Sequence, residues 1–317
     1  MSGARVGRLV RDYPLVPLIV LLMLLVVTLE FMRPGIVNER WIGNTIKFAI
    51  PLAMIAACQT LTMLTGGIDL SAGVAATVSA FVMATQVEIL GVPGGILIAL
   101  VPAILIGLVN GFGVGVCRVH PLIMTLGTGL IATGCLQVYQ RFVIATGSSV
   151  PDILAWLGTG VTGGVPNALL IFVPFAALII WGQRGTGFGR LLYAMGDNER
   201  AARLAGVRGW QVHLALYALS GLIAGIAGLL YVGLIKAPSL SLAAPLMLPS
   251  VAAAVIGGTS IFGGRGGYAG TIVGALILGV LNTLLTLLQM PEGARGILFG
   301  LIILAVTAIY LRLTSEG

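Results

Sequence analysis

The chain has 317 residues, of which 58% are hydrophobic and 9% charged, and its mean hydropathy is +1.09. A soluble domain is about a quarter charged and just under half apolar. Surface-to-volume scaling would leave most of its side chains near water, so the apolar surplus here must face lipid. The net charge of +7 does not point to nucleic acid, because the basic residues are scattered between apolar blocks and form no stripe interleaved with stacking aromatics.

At roughly 20 residues per span the chain has room for about ten transmembrane helices. Residues 13–29 follow the basic start Arg5, Arg8, Arg11 and resemble a signal-peptide core. No small-residue cleavage site comes before Glu30, Phe31, Met32 and Arg33, so a retained first helix is expected. Residues 48–68 and 70–87 follow, separated by Asp69. Residues 89–117 form one long block whose core after Pro93 makes a span, and 122–140 make a fifth. After a polar, Gly-rich stretch from Arg141 to Val165, residues 166–181 give a short sixth. The remaining spans are expected at 212–235, 246–262, 268–288 and 297–311.

Between the sixth and seventh, at about 183–208, Arg184, Arg190, Asp197, Glu199, Arg200, Arg203 and Arg208 make the only substantial hydrophilic segment with helical character. An even number of spans puts both termini on one side. With the N-terminus in the cytoplasm, the inside set is Arg5, Arg8, Arg11, Arg118, Arg184, Arg190, Arg200, Arg203, Arg208, Arg265 and Arg312. The outside set is the smaller one: Arg33, Arg40, Lys47, Arg141, Lys236 and Arg295. That excess of cytoplasmic basic residues favours cytoplasmic termini and places the charged segment inside the cell. The expected fold is therefore all-α and integral to the membrane, a single transmembrane domain over 1–317 with short broken or re-entrant segments.

Glycine is abundant, at 46 residues. In lipid, small residues let helix backbones approach closely, and Gly221, Gly225 and Gly228 share nearly one helical face, as do Gly270 and Gly274. Two passages look alike, 65–69 (Thr-Gly-Gly-Ile-Asp) and 257–260 (Gly-Gly-Thr-Ser), but the match is too short to count as an internal repeat.

Enzymatic constellations are missing. His120 and His213 stand beside predicted membrane boundaries without a partner nearby in sequence, and no Gly-Lys-[Ser/Thr] phosphate loop occurs. Cys58, Cys117 and Cys135 lie in apolar stretches with no CxxC spacing, the pattern of buried thiols packing as small hydrophobes. No metal or cofactor is implied. Charges inside spans mark ion and proton paths, and Asp69 is the one acid not plainly at a loop, since Glu30, Glu88 and Glu292 fall at predicted ends. This scarcity points to a path for an uncharged polar solute, energised from elsewhere. In Gly66-Gly67-Ile68-Asp69-Leu70-Ser71, Asp69 is placed to cap the following helix after a glycine turn, or to contact solute at a helix break. Asn110, Thr125, Thr128 and Asn282 are the other polar residues able to line a path or to bond between helices. Residues 191–206 predict a short amphipathic helix, with Asp197 or Asn198 at its start and Gly206 at its end. Ala201 and Ala202 would form a small close-approach face and Leu204 would turn its apolar side down. Such a helix suits either the membrane surface or docking of a cytoplasmic partner.

Four passages carry a resemblance: residues 66–71 with Gly73, Pro121-Leu122-Ile123-Met124-Thr125-Leu126-Gly127-Thr128, the Gly196-to-Gly206 loop, and 255–266 (Val-Ile-Gly-Gly-Thr-Ser-Ile-Phe-Gly-Gly-Arg-Gly). Together and in this order they resemble the permease subunits of bacterial ABC sugar importers of the ribose, xylose and arabinose type, from about Arg33 to Leu311. The resemblance implies a pore made of two permease copies or two related ones, a cytoplasmic ABC ATPase with two nucleotide-binding modules, a periplasmic solute-binding protein, and the bacterial inner membrane. It maps the ATPase-coupling loop onto Gly196, Asn198, Glu199, Ala201, Ala202 and Gly206. Two departures, Cys58-Gln59 where the family usually shows Gly-Met and a 238–249 stretch without its usual Gly and acid, bear on the solute rather than the mechanism. A permease for a branched-chain amino acid or a nucleoside, and a carrier working without an ATPase, are the competing readings.

Overall fold

The computed structural model describes residues 15–143, 147–291, 293–298, 300–302 and 304. The basic start at Arg5, Arg8 and Arg11, Glu292, Arg312 and most of the span expected at 297–311 lie outside the described residues. Ten helices are numbered in chain order: α1 (Leu15–Met32), α2 (Glu39–Leu64), α3 (Ala72–Gly115), α4 (Pro121–Val143), α5 (Asp152–Thr159), α6 (Leu169–Gly185), α7 (Gly187–Leu204), α8 (Gly209–Ile235), α9 (Met247–Ile256) and α10 (Tyr268–Leu287); the described residues of Gly293–Ile302 are helical as well. A two-residue antiparallel hairpin pairs β1 (Val161–Thr162) with β2 (Val165–Pro166), and a 3-10 turn, Ala244–Leu246, leads into α9. Six of these helices are long and apolar enough to cross a membrane, and a seventh is counted if α6 and α7, bent by 65°, act as one. The protein is all-α in its membrane-facing architecture.

Helix α2 is the most deeply buried of the long helices. It starts where the side chain of Asn38 accepts a hydrogen bond from Trp41 N at 3.0 Å, an N-cap that sets the start nine residues ahead of the apolar block. Helix α3 runs for 44 residues but is broken at Gly91 (φ 68, ψ 176). Only glycine takes that conformation without strain, so the two expected spans are the two arms of one bent element.

The tightest packing joins α3 to α8, and glycines allow it. A Cβ on Gly107 would overlap the carbonyl of Tyr217, and one on Gly221 would overlap that of Ala103. Where lipid offers no hydrophobic drive between helices, such backbone proximity supplies the dispersion contact that holds a bundle together. Gly270 and Gly274 of α10 meet the carbonyls of Gly257 and Ala253 in the same way.

Three expectations are corrected. Residues 246–262 are not one continuous helix: α9 stops at Ile256, because Gly258 takes φ +86 and a 3.0 Å bond from Gly258 N to Val255 O with a 2.9 Å bond from Thr259 N to Ala254 O closes the helix. Pro166 belongs to the hairpin, so the sixth helix begins at Leu169. Cys117 and Cys135 are exposed, and only Cys58 is buried: Cys117 lies in the loop between α3 and α4, and Cys135 lines an open apolar cleft between α4 and α3 with Val78, Val82 and Ile106.

The end of α2 uses the same closing pattern as α9, with Gly66 N bonded to Met63 O at 2.9 Å and Gly67 N to Thr62 O at 3.0 Å, and Gly66 at φ +78. The two look-alike sequence passages thus adopt one turn geometry, each ending a helix inside the bundle.

Candidate functional site

The turn between α2 and α3 carries Asp69 into the packed interior, where it is 1% exposed. Its Oδ1 accepts from the backbone N–H of Ser71 at 3.0 Å and from the Ser71 hydroxyl at 2.6 Å, and its Oδ2 accepts from the Ser220 hydroxyl of α8 at 2.6 Å. Ser71 occupies the N-cap position of α3 but makes no side-chain cap bond; the acceptor at the helix start is the Asp69 carboxylate, two residues before, which takes the Ser71 N–H and hydroxyl. Asn110 Nδ2 donates to the Ser71 hydroxyl at 2.7 Å. Gln59 clamps the backbone of the turn, donating to Asp69 O at 2.8 Å and accepting from Asp69 N at 3.2 Å. Thr125 of α4 does the same one residue along, accepting from Leu70 N at 3.1 Å and donating to Ile68 O at 3.2 Å.

Four polar side chains, one from each of four helices, therefore converge on seven residues of irregular backbone. A non-helical segment at membrane depth is tolerated only when its N–H and C=O groups find partners in the protein, and Gln59 and Thr125 are those partners. Asp69 has no ion-pair partner, since Glu199–Arg203 is the ion pair among the described residues; three donors at hydrogen-bond distance hold the carboxylate instead. The nest is closed to solvent in this conformation. Gly67 permits the turn to lie under α8, because the Tyr217 hydroxyl stands 2.9 Å from where a Cβ would be.

The structure thus brings together Gly66, Gly67, Asp69, Ser71, Asn110 and Thr125. It leaves Thr128 and Asn282 apart. Thr128 is turned back onto its own helix, bonding Met124 O at 2.9 Å, and Asn282 is exposed on α10, accepting from Arg295 at 3.0 Å. Gln59, Ser220 and Tyr217 are members of the nest that sequence reasoning missed. Their signal was present, for each is a polar side chain within an apolar span.

The hydrophilic segment forms α7, which breaks at Asn198 (φ −157, ψ 96). The Asn198 side chain accepts from Ala201 N at 2.9 Å and starts a second short helical run, so Asn198 rather than Asp197 is the cap. That run closes at Gly206 (φ +89) with a 3.0 Å bond from Gly206 N to Arg203 O and a 3.1 Å bond from Val207 N to Ala202 O. Glu199 and Arg203 pair at 2.7 Å on its exposed side, a contact worth a few tenths of a kcal/mol. Ala202 faces inward, whereas Ala201 is exposed. Leu204 departs from expectation: it is 85% exposed, because two residues along a helix it stands about 200° round from the buried Ala202 and so falls on the opposite face. Gly196 lies one turn ahead, wedged against the end of α2.

Residues 41–307 match the family described as branched-chain amino acid transport system / permease component. The chain belongs to that family. Among its relatives, the ribose import permease protein of Escherichia coli K12 is 32% identical over 298 residues, covering 92% of each chain. The galactofuranose transporter permease protein of the same organism is 34% identical, covering 92% of this chain and 86% of its own. The fructose import permease protein of Rhizobium meliloti is 32% identical, covering 81% and 74%. No solved structure is significantly similar.

Proposed function

We propose that this chain is the permease subunit of a bacterial ATP-binding-cassette importer and forms the translocation path for a sugar. The observation that carries the reading is the similarity to sugar permeases along nearly the whole chain, over a fold rich in apolar helices. The family description names branched-chain amino acids, and that solute class is the second reading; the sugar permeases among the relatives favour the first.

In this proposal a single transmembrane domain of about ten spans sits in the inner membrane with both termini in the cytoplasm. A second copy or paralogue completes the pore, a periplasmic binding protein delivers the solute, and a separate cytoplasmic subunit hydrolyses ATP. The run 199–204 docks that ATPase, with Leu204 as its exposed apolar contact and Gly206 fixing its end. ATP-driven approach of the two ATPase modules moves this helix and shifts the pore between its two facings, a bias on a two-state element rather than catalysis in this chain. Asp69 and its neighbours hold the turn beside the path in the present state, and a direct solute contact by Asp69 would require that turn to open.

The test is affinity purification of the tagged protein in mild detergent, with mass spectrometry of what accompanies it, followed by uptake of labelled ribose, fructose, xylose, arabinose and leucine in cells expressing the operon. A co-purifying tandem ATPase and uptake of one of the sugars are expected. A chain that stays clean under gentle extraction overturns the importer reading, and uptake of leucine alone overturns the sugar.

A further inference from the structure

The segment just ahead of the docking run is packed in an unusual way. Gly196 touches a helix end and an inter-helix turn at once: a Cβ there would overlap both the carbonyl of Leu64, the last residue of α2, and the backbone N of Gly264, in the connection between α9 and α10. Gly264 N itself donates to Leu64 O at 3.0 Å. On the other side, a Cβ on Gly263 would stand 2.7 Å from Gly196 O. The hydroxyl of Tyr193, one turn before Gly196, donates to Gly266 O at 2.8 Å. Three backbone segments therefore meet with no side chain between them, and the Asn198 break lies two residues further on.

From this geometry we infer that Gly196 is a transmission joint: it carries movement of the 199–204 helix to both helix breaks at once, and it does so by backbone contact within the permease rather than by contact with the ATPase. The inference rests on the docking role proposed above. It gives Gly196 a role different from that of its loop neighbours. Asn198, Glu199, Ala201 and Leu204 face outward and are available to a partner, whereas the backbone around Gly196 is occupied on two sides by α2 and the 263–264 turn. Because Leu64 and Gly264 are bonded to each other, a displacement at Gly196 moves the end of α2 and the 263–264 turn as one body. The turn beyond α2 leads directly to Asp69 and, through Ser220, to α8. Discrete packed contacts of this kind switch between arrangements instead of deforming gradually.

The test uses the assembled permease–ATPase complex in proteoliposomes and compares three variants with wild type, with uptake measured for whichever sugar of the panel the wild type carries. Gly196→Ala is expected to keep the ATPase in the wild-type ratio on purification and to keep hydrolysing ATP, while uptake per ATP falls about 5- to 150-fold, the range of ordinary coupling energies. Leu204→Asp, by contrast, is expected to lose the ATPase from the complex. Tyr193→Phe removes only the hydroxyl strap to Gly266; it should fold normally and lower uptake per ATP by a smaller factor, which keeps the test decisive if Gly196→Ala fails to accumulate. Loss of the ATPase from Gly196→Ala would make Gly196 a docking contact and overturn the joint. Unchanged uptake per ATP in Gly196→Ala, or in Tyr193→Phe where Gly196→Ala does not accumulate, overturns it as well. Retention of the ATPase by Leu204→Asp would count against the docking surface itself, a result separate from the other two.

Discussion

Replacing Asp69 by Leu and by Asn separates two roles that one carboxylate can play. Leucine removes both acceptor oxygens and strands the Ser71 N–H and the hydroxyls of Ser71 and Ser220, all held at 2.6–3.0 Å. Each stranded buried donor costs about 1–3 kcal/mol. A serine hydroxyl can turn back onto a helix carbonyl, so a net loss of about 2–5 kcal/mol is expected for Asp69→Leu, a large part of the roughly 5–15 kcal/mol of a typical domain. Asparagine keeps an acceptor for Ser71 and offers its amide to the Ser220 oxygen, so Asp69→Asn should cost about 1 kcal/mol or less. The assay is thermal unfolding of the detergent-solubilised protein, followed by fluorescence-detected size exclusion across a temperature series, with uptake measured in parallel. Asp69→Asn should melt close to wild type and still transport, and Asp69→Leu should melt much lower or fail to accumulate. If Asp69→Asn were as damaging as Asp69→Leu, the negative charge itself would be required, and the account of Asp69 as a hydrogen-bond hub would be wrong.

Further outcomes follow from other contacts. Ser220→Ala leaves the Asp69 carboxylate short of one donor and should destabilise by about 1.5–3 kcal/mol, as expected for a hydrogen bond to a charged group, read in the same melting assay. Gly206→Val places a β-branched residue at φ +89 and should weaken ATPase co-purification while leaving membrane insertion intact, checked by pull-down against total membrane yield. Ala202→Glu puts a charge on the inward face of the docking run and should abolish uptake at normal expression. Gly221→Leu forces a side chain into the Ala103 carbonyl and should prevent accumulation of folded protein, whereas Gly127→Leu, at a glycine with open space around it, should accumulate normally.

Hydropathy located the long helices well because lipid-facing segments need near-continuous apolar sequence, as in α1, α8 and α10. It failed at 246–262 because a glycine at positive φ ends α9 in mid-block without any change in polarity. The charged segment was legible as a helix with a capping Asn and a closing Gly, since both signals are local. The orientation of Leu204 was not legible, because it depends on which face of the run packs inward, and Ala202 rather than Leu204 takes that side. Asp69, Ser71, Asn110 and Thr125 stood out as polar residues in an apolar context. Ser220 and Gln59 are equally polar, but Gln59 acts only because the turn folds back along α2, and Ser220 only because the glycine-mediated approach of α3 and α8 brings α8 across the turn. The joint at Gly196 was hidden for the same reason: its three strands of backbone are far apart in sequence.

The Asp69–Ser220 bond also has a history in time. The two residues are separated by 151 positions, so at about 5–20 residues per second of synthesis the acid emerges some 8–30 s before the serine that completes its shell. During that interval Ser71 supplies the donors that reach the carboxylate, and Gln59, made earlier, can clamp the backbone of the turn. The first half of the chain therefore enters the membrane with an incompletely paired carboxylate and locks only after α8 has been made. A chain truncated ahead of Ser220 should be a substrate for membrane quality control rather than a stable half-bundle.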